Sequence, residues 1–350
     1  MIMEEYRSSV LLIYTGGTIG MKEDPCDQSL KPFDFGQILQ EVPELRKFAC
    51  RIDVHTFTPL IDSSDVEPAM WKELAYLIRD RYEQYDGFVV LHGTDTMAFS
   101  ASALSFMLDH LAKPVIFTGS QLPIGRPRTD GKENLVSSVE IASARRPDGS
   151  AEVPEVCIYF NSKLLRGNRC TKINSEGFTA FDSANYPPLA EAGISLKYNR
   201  SAIHYPSSAR HEQLSVQTRL DTRVSILKLH PGITPQVVRN ILLGEETRAV
   251  IIETYGAGNA PSSEWFLDIV REACDRGKIL LNVTQCLHGS VDMDIYATGK
   301  KLKEAGVISG YDSTTESALA KLFCLMGETG DNEEVKKRLC ESLRGEISKL

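Results

Sequence analysis

One feature constrains the fold of this chain above all others: strand-length apolar runs alternate with stretches of helical periodicity. Apolar runs at 10–14, 57–61, 88–91, 114–118 and 156–160 are mostly followed by turns rich in Gly, Ser, Thr or Asp. Between them, Trp71, Leu74, Ala75, Ile78 and Tyr82 recur at helical spacing, as do Met97, Ala101, Leu104, Leu108 and Leu111. Pro68 suits a first helical turn, and Asp86-Gly87 breaks the helix it opens. Thr129-Asp130 with Glu133 predicts another helix start, with Asp130 as the capping carboxylate. After a turn at Asn161-Ser162-Lys163, residues 164–170 read as a second extended piece. From 197 to 223 the pattern dissolves into polar residues around Pro206-Ser207-Ser208, the composition of a linker. Strands at 224–229, 249–254 and 279–283 then alternate with helices from about Thr234, around 265–274 and from Thr314. Such alternation predicts parallel sheets covered by helices, and 350 residues exceed what one core usually serves. The expected architecture is α/β in two domains. A larger N-terminal domain, 1–196, holds a mainly parallel sheet flanked by helices. A linker, 197–223, leads to a smaller C-terminal α/β (Rossmann-like) domain, 224–350.

Composition narrows the function by exclusion. A net charge of −8 argues against nucleic acid, which favours a basic surface. No apolar segment is long enough to span a bilayer, and the start MIMEEYRSSV lacks a secretory pattern. A soluble cytoplasmic protein is expected. The eight cysteines form no Cys-x-x-Cys pair and the seven histidines no His-x-x-x-His pair, so neither a metal site nor a disulfide framework is predicted.

The turns carry the chemistry. Tyr14-Thr15-Gly16-Gly17-Thr18-Ile19-Gly20 follows the first strand, Asp62-Ser63-Ser64-Asp65 the second and Thr94-Asp95 the third. In open α/β sheets, loops at the carboxyl ends of parallel strands surround the ligand. The first turn has neither the glycine spacing of a dinucleotide loop nor the Gly-Lys-Ser/Thr of a phosphate loop. A lone Gly-Gly-Thr would argue only for a tight turn or a helix cap. Repetition of the hydroxyl-bearing turn at Thr94-Asp95, with Lys172 in another extended hydroxyl-rich segment, suggests a Thr–Lys–Asp relay that activates an alcohol. No Gly-x-Ser-x-Gly elbow supports a serine hydrolase.

Tyr-Thr-Gly-Gly-Thr-Ile-Gly-Met at 14–21 and Leu-His-Gly-Thr-Asp-Thr-Met at 91–97 closely resemble the two signature segments of bacterial-type L-asparaginases, and of their cytoplasmic type I branch in particular. The likeness extends through Asp62-Ser63-Ser64-Asp65, Thr118-Gly119-Ser120-Gln121, Arg166-Gly167-Asn168-Arg169-Cys170-Thr171-Lys172, Tyr255-Gly256-Ala257-Gly258-Asn259 and Asn282-Val283-Thr284-Gln285-Cys286. It implies hydrolysis of the side-chain amide of L-asparagine to aspartate and ammonia, with no cofactor and no metal. Thr18 matches the nucleophile, while Thr94, Asp95 and Lys172 match the proton-handling group. Asp95 would also hold the substrate's α-ammonium. Asp62, Ser63 and Ser64 would bind its carboxylate end, and Ser120 would approach its amide. A homotetramer, built as a dimer of dimers, is the implied assembly.

Two departures from the family pattern stand out. A tyrosine expected on a flap after the first motif is missing from residues 23–32, where Leu30 falls near its place. Glu253 occupies a position where a basic residue is expected to hold the carboxylate of a regulatory asparagine, which predicts weak or absent regulation. His92 is expected to pack against the sheet. Two rival functions remain. One is a related amidohydrolase: a mixed asparaginase–glutaminase, or an amidotransferase subunit, expected to carry an added N-terminal domain where only nine residues precede Val10 here. The other is a non-catalytic amino-acid sensor with the same pocket.

Overall fold

The computed structural model describes residues 7–23, 30–32, 38–206 and 213–348. The chain divides between Val216 and Gln217 into two compact units. The division falls inside the stretch 197–223, and the first part of that stretch belongs to unit one. There Leu196–Tyr198 forms a strand, and Ala202 and Ile203 are buried in the core. Residues 207–212, and with them Ser207 and Ser208, lie outside the described residues.

Unit one is built on an eight-stranded sheet. Its first six strands are β1 (Ser8–Tyr14), β2 (Cys50–Thr56), β3 (Gly87–Leu91), β4 (Val115–Thr118), β5 (Val156–Phe160) and β6 (Lys163–Arg166). A separate two-stranded ribbon, β7 (Thr171–Lys172) with β8 (Phe181–Asp182), follows. The sheet is completed by β9 (Ala190–Ala192) and β10 (Leu196–Tyr198), giving the order β10-β9-β6-β5-β4-β3-β1-β2. The five strands from β2 to β5 are parallel, and β6, β9 and β10 continue the sheet antiparallel. The parallel part therefore runs 2-1-3-4-5, and the connections change direction between β1 and β3. A crevice opens outside the carboxyl ends of the strands at that switch point.

Helices α1 (Pro68–Arg81), α2 (Met97–Met107) and α3 (Gly131–Ser143) accompany this sheet. Alternate residues of a strand point to opposite faces. On β1, Val10, Leu12 and Tyr14 join a core with Leu135 and Val139 of α3, while Leu11 and Ile13 are equally buried on the other face. The apolar run at 57–61 does not form the expected strand. The strand is β2, just before it, an edge strand whose Arg51, Asp53 and His55 leave it only half-buried, so no apolar run marks it. Phe57 is buried in the loop that follows.

Unit two is a fully parallel four-stranded sheet in the order β11 (Val224–Lys228), β12 (Ala249–Thr254), β13 (Ile279–Thr284), β14 (Ile308–Ser309). Period-two alternation on β12 sorts its two cores. Val250 and Ile252 pack with Val238 and Leu242 of α4 (Pro235–Leu242), Phe266 and Val270 of α5 (Glu264–Asp275) and Leu302 of α6 (Ala297–Glu304). Ala249 and Ile251 pack with Ala318 and Leu322 of α7 (Thr315–Glu328) and Val335 of α8 (Asn332–Leu339). The protein is thus α/β in both units, with the larger mixed sheet first.

Candidate active site

The switch point between β1 and β3 is where the sequence places its two threonine motifs. Gly16 and Gly17 have φ of 140° and 92°, in the region that favours glycine. Space is as restrictive as torsion. A Cβ on Gly16 would lie 2.1 Å from the Ile61 carbonyl oxygen, and one on Gly17 would lie 2.6 Å from the Gly93 nitrogen. A Cβ on Gly93 would in turn lie 2.5 Å from Ser63 Oγ. The glycines therefore let three loop backbones touch: the one leading to Thr18, the one holding Ser63 and the one leading to Thr94. Thr15 locks the first loop down, because its buried hydroxyl donates to the Leu91 carbonyl at 2.9 Å. The two hydroxyls of the first motif thus differ, and Thr15 is structural. Thr18 opens the short turn Thr18–Gly20, is half-buried, and among the described residues its hydroxyl has no hydrogen-bond partner.

The residues that follow Gly93 carry an ionic cluster. Lys172 Nζ donates to Thr94 Oγ1 at 2.8 Å and to Asp95 Oδ1 at 2.6 Å. Lys172 reaches these groups from the β7–β8 ribbon, so residues separated by 78 positions meet. Asp95 is exposed, with its other oxygen 3.4 Å from buried Ser63 Oγ. Thr94 Oγ1 faces Gln121 Oε1 at 3.5 Å, a long contact, and Gln121 Nε2 donates to the Gly177 carbonyl at 3.1 Å.

The remaining expected residues divide by what their polar atoms do. Asp62 caps the turn Ser63–Asp65: its carboxylate accepts from Ser64 N at 2.9 Å and Ser64 Oγ at 2.8 Å, bonds that lower its pKa. Within this segment Ser63 faces Asp95, while Asp62 and Ser64 bond to each other across the turn. Ser120 is buried, and its hydroxyl donates to the Leu122 carbonyl at 2.6 Å. Asp130 is not the side-chain cap of α3 expected from sequence. Its oxygens instead accept from Gln121 N at 2.9 Å and Leu122 N at 3.1 Å, fixing the loop after β4. Buried Asn134 adds a bond to the Gly119 carbonyl at 2.9 Å. Gln121, Asp130 and Asn134 were not marked as site residues by sequence, since each has the ordinary look of a loop or helix polar residue.

The flap at residues 24–29, and the side chain of Leu30, lie outside the described residues. In unit two, Glu253 Oε1 accepts from Thr315 Oγ1 at 2.7 Å, and Oε2 lies 3.2 Å from Lys228 Nζ. Among the described residues no group of three or more His, Cys, Asp or Glu is placed to hold a metal ion, and no helix is long and apolar enough to cross a membrane.

Comparison with known proteins agrees along almost the whole chain. Residues 9–204 match the family model described as Asparaginase, N-terminal, and residues 223–339 match the Glutaminase/Asparaginase C-terminal domain. The chain is 42% identical over 351 residues to L-asparaginase 1 of Escherichia coli (strain K12), covering 98% of each protein. The crystal structure of L-asparaginase I from Vibrio cholerae is similar with a TM-score of 0.88 at 41% identity, covering 98% of this chain and 99% of that one. The thermostable L-asparaginase from Thermococcus kodakarensis follows with a TM-score of 0.87 at 32% identity, covering 98% and 100%. Two-domain matching, at this identity and coverage, shows that the chain belongs to the bacterial-type L-asparaginase family, in its type I branch.

Proposed function

We propose that this protein hydrolyses the side-chain amide of L-asparagine to L-aspartate and ammonia, with Thr18 as nucleophile. The observation that supports the reading is the Lys172–Thr94–Asp95 cluster, in which Thr94 follows Gly93 as Thr18 follows Gly17 across their close backbone contact. Thr18 Oγ attacks the amide carbon, and the C–N bond breaks as the hydroxyl proton passes to the leaving nitrogen, releasing ammonia. Water then cleaves the aspartyl ester and restores the hydroxyl. Thr94 and Lys172 form the proton-handling pair beside this step. Asp95 attracts the substrate's α-ammonium, and Ser63 Oγ is the donor for its α-carboxylate. Each donor aimed at the oxyanion lowers the barrier by about 3 kcal/mol. No cofactor enters the scheme. By likeness to its family the protein works in the cytoplasm as a homotetramer, a dimer of dimers.

The test is ammonia release from asparagine and from glutamine by the parent, Thr18→Val and Lys172→Met, with circular dichroism to establish folding. The reading expects release from asparagine by the parent and its near-complete loss in both variants. Equal turnover of glutamine would make the protein a mixed asparaginase–glutaminase. Asparagine binding without ammonia would make it a sensor.

A further inference from the structure

Behind the Gly93–Asp95 turn runs a buried polar chain that the proposed chemistry does not use. His92 is fully buried, with Nδ1 2.6 Å from the Gly93 carbonyl oxygen and Nε2 2.9 Å from Ser100 Oγ. Ser100 Oγ also receives Trp71 Nε1–H at 2.9 Å. Every donor in this chain is determined. A carbonyl only accepts, so Nδ1 carries the proton. In the neutral imidazole Nε2 is then the acceptor, so Ser100 Oγ, which accepts from the Trp71 indole N–H, gives its own proton to Nε2. The result is one neutral tautomer of His92, wired to α1 through Trp71 and to α2 through Ser100.

The peptide it holds is the crossing point of the site. Gly93 lies against Gly17 on one side and Ser63 Oγ on the other, too closely for any side chain. Thr94 and Asp95 follow directly. A shift of the Gly93 peptide would therefore move the Lys172 partners relative to Thr18 and Ser63 together.

We propose that His92, through Nδ1–H to the Gly93 carbonyl, is a positioning residue that fixes the Gly93–Asp95 turn for catalysis, with Ser100 and Trp71 setting its tautomer. This rests on the amidohydrolase reading above. Two replacements separate positioning from bulk packing. His92→Asn keeps an N–H donor near the Nδ1 place, whereas His92→Leu fills similar space with no donor. Ammonia release from asparagine is measured for both, together with hydrogen–deuterium exchange of the peptide covering 92–96. Misplacement on the ångström scale can cost up to about a hundredfold in rate, so His92→Leu is expected to lose about tenfold or more in kcat/KM. Exchange at 93–95 should rise in the same variant, and His92→Asn should recover most of both.

A folded His92→Leu variant with parent kinetics and parent exchange would overturn the proposal. So would an Asn variant no better than Leu. A parent that released no ammonia would sink the amidohydrolase reading instead. The exchange arm would still decide whether His92 fixes the turn.

Discussion

Acidification should destabilise unit one through His92, by an amount the structure sets. Burial lowers the His92 pKa from 6.5 to about 4, and the bond to the Gly93 carbonyl only partly opposes this. The unfolded chain binds a proton at this position below about pH 6.5, whereas the folded chain does not until about pH 4. Between those values the unfolded state holds more protons, so stability falls as pH falls. At pH 4.5 the loss attributable to His92 is about 2 kcal/mol relative to pH 7. The assay is urea unfolding followed by Trp71 fluorescence in a Trp265→Phe background, because Trp71 and Trp265 are the chain's two tryptophans and only Trp71 lies in unit one. His92→Asn carries no titrating group there. Its stability deficit against the parent should therefore shrink by about 2 kcal/mol between pH 7 and pH 4.5. Carboxylates such as Asp62 titrate alike in both proteins and cancel in the difference. A deficit that stays constant over this range would refute the reasoning, since His92 would then not be held neutral by burial.

Three further outcomes follow from particular contacts. Gly17→Ala puts a Cβ 2.6 Å from the Gly93 nitrogen at a φ of 92°; ammonia release should fall by more than about tenfold with the circular dichroism spectrum retained. In unit two, Lys321 and Glu346 form an ion pair of 2.7 Å, both almost wholly buried. Glu346→Gln leaves the ammonium uncompensated and should cost about 3 kcal/mol in chemical denaturation. Glu253 is engaged by Thr315 and Lys228, so asparagine saturation should be hyperbolic; a sigmoid abolished by Cys286→Ser would contradict this.

The fold was legible wherever residues were buried on both faces of a sheet. Strand β12 and helix α1 read directly from apolar runs and helical spacing, because burial alone selects those patterns. Edge elements were not. β2 is half-exposed and carries Arg51, Asp53 and His55, while β9 and β10 are short strands in the polar approach to the unit boundary. Of the site, the cluster of Thr94, Asp95 and Lys172 was legible as a set of residue types in separate motifs, and the structure brings the three together. Asp130 was misread, since a carboxylate at a helix start looks the same whether it caps its own helix or accepts from a neighbouring loop backbone. Only three-dimensional placement tells them apart. Gln121 and Ser100 went unmarked for the same reason: their partners, Thr94 and His92, are 27 and 8 positions away in the chain.

The central claim is that the Thr18 oxygen is the attacking atom, and covalent trapping tests it most directly. A diazoketone analogue of asparagine, incubated with the protein and followed by peptide mass spectrometry, should label Thr18. Labelling and ammonia release should both disappear in Thr18→Val. A label on Thr94, or unchanged turnover without the Thr18 hydroxyl, would contradict the account.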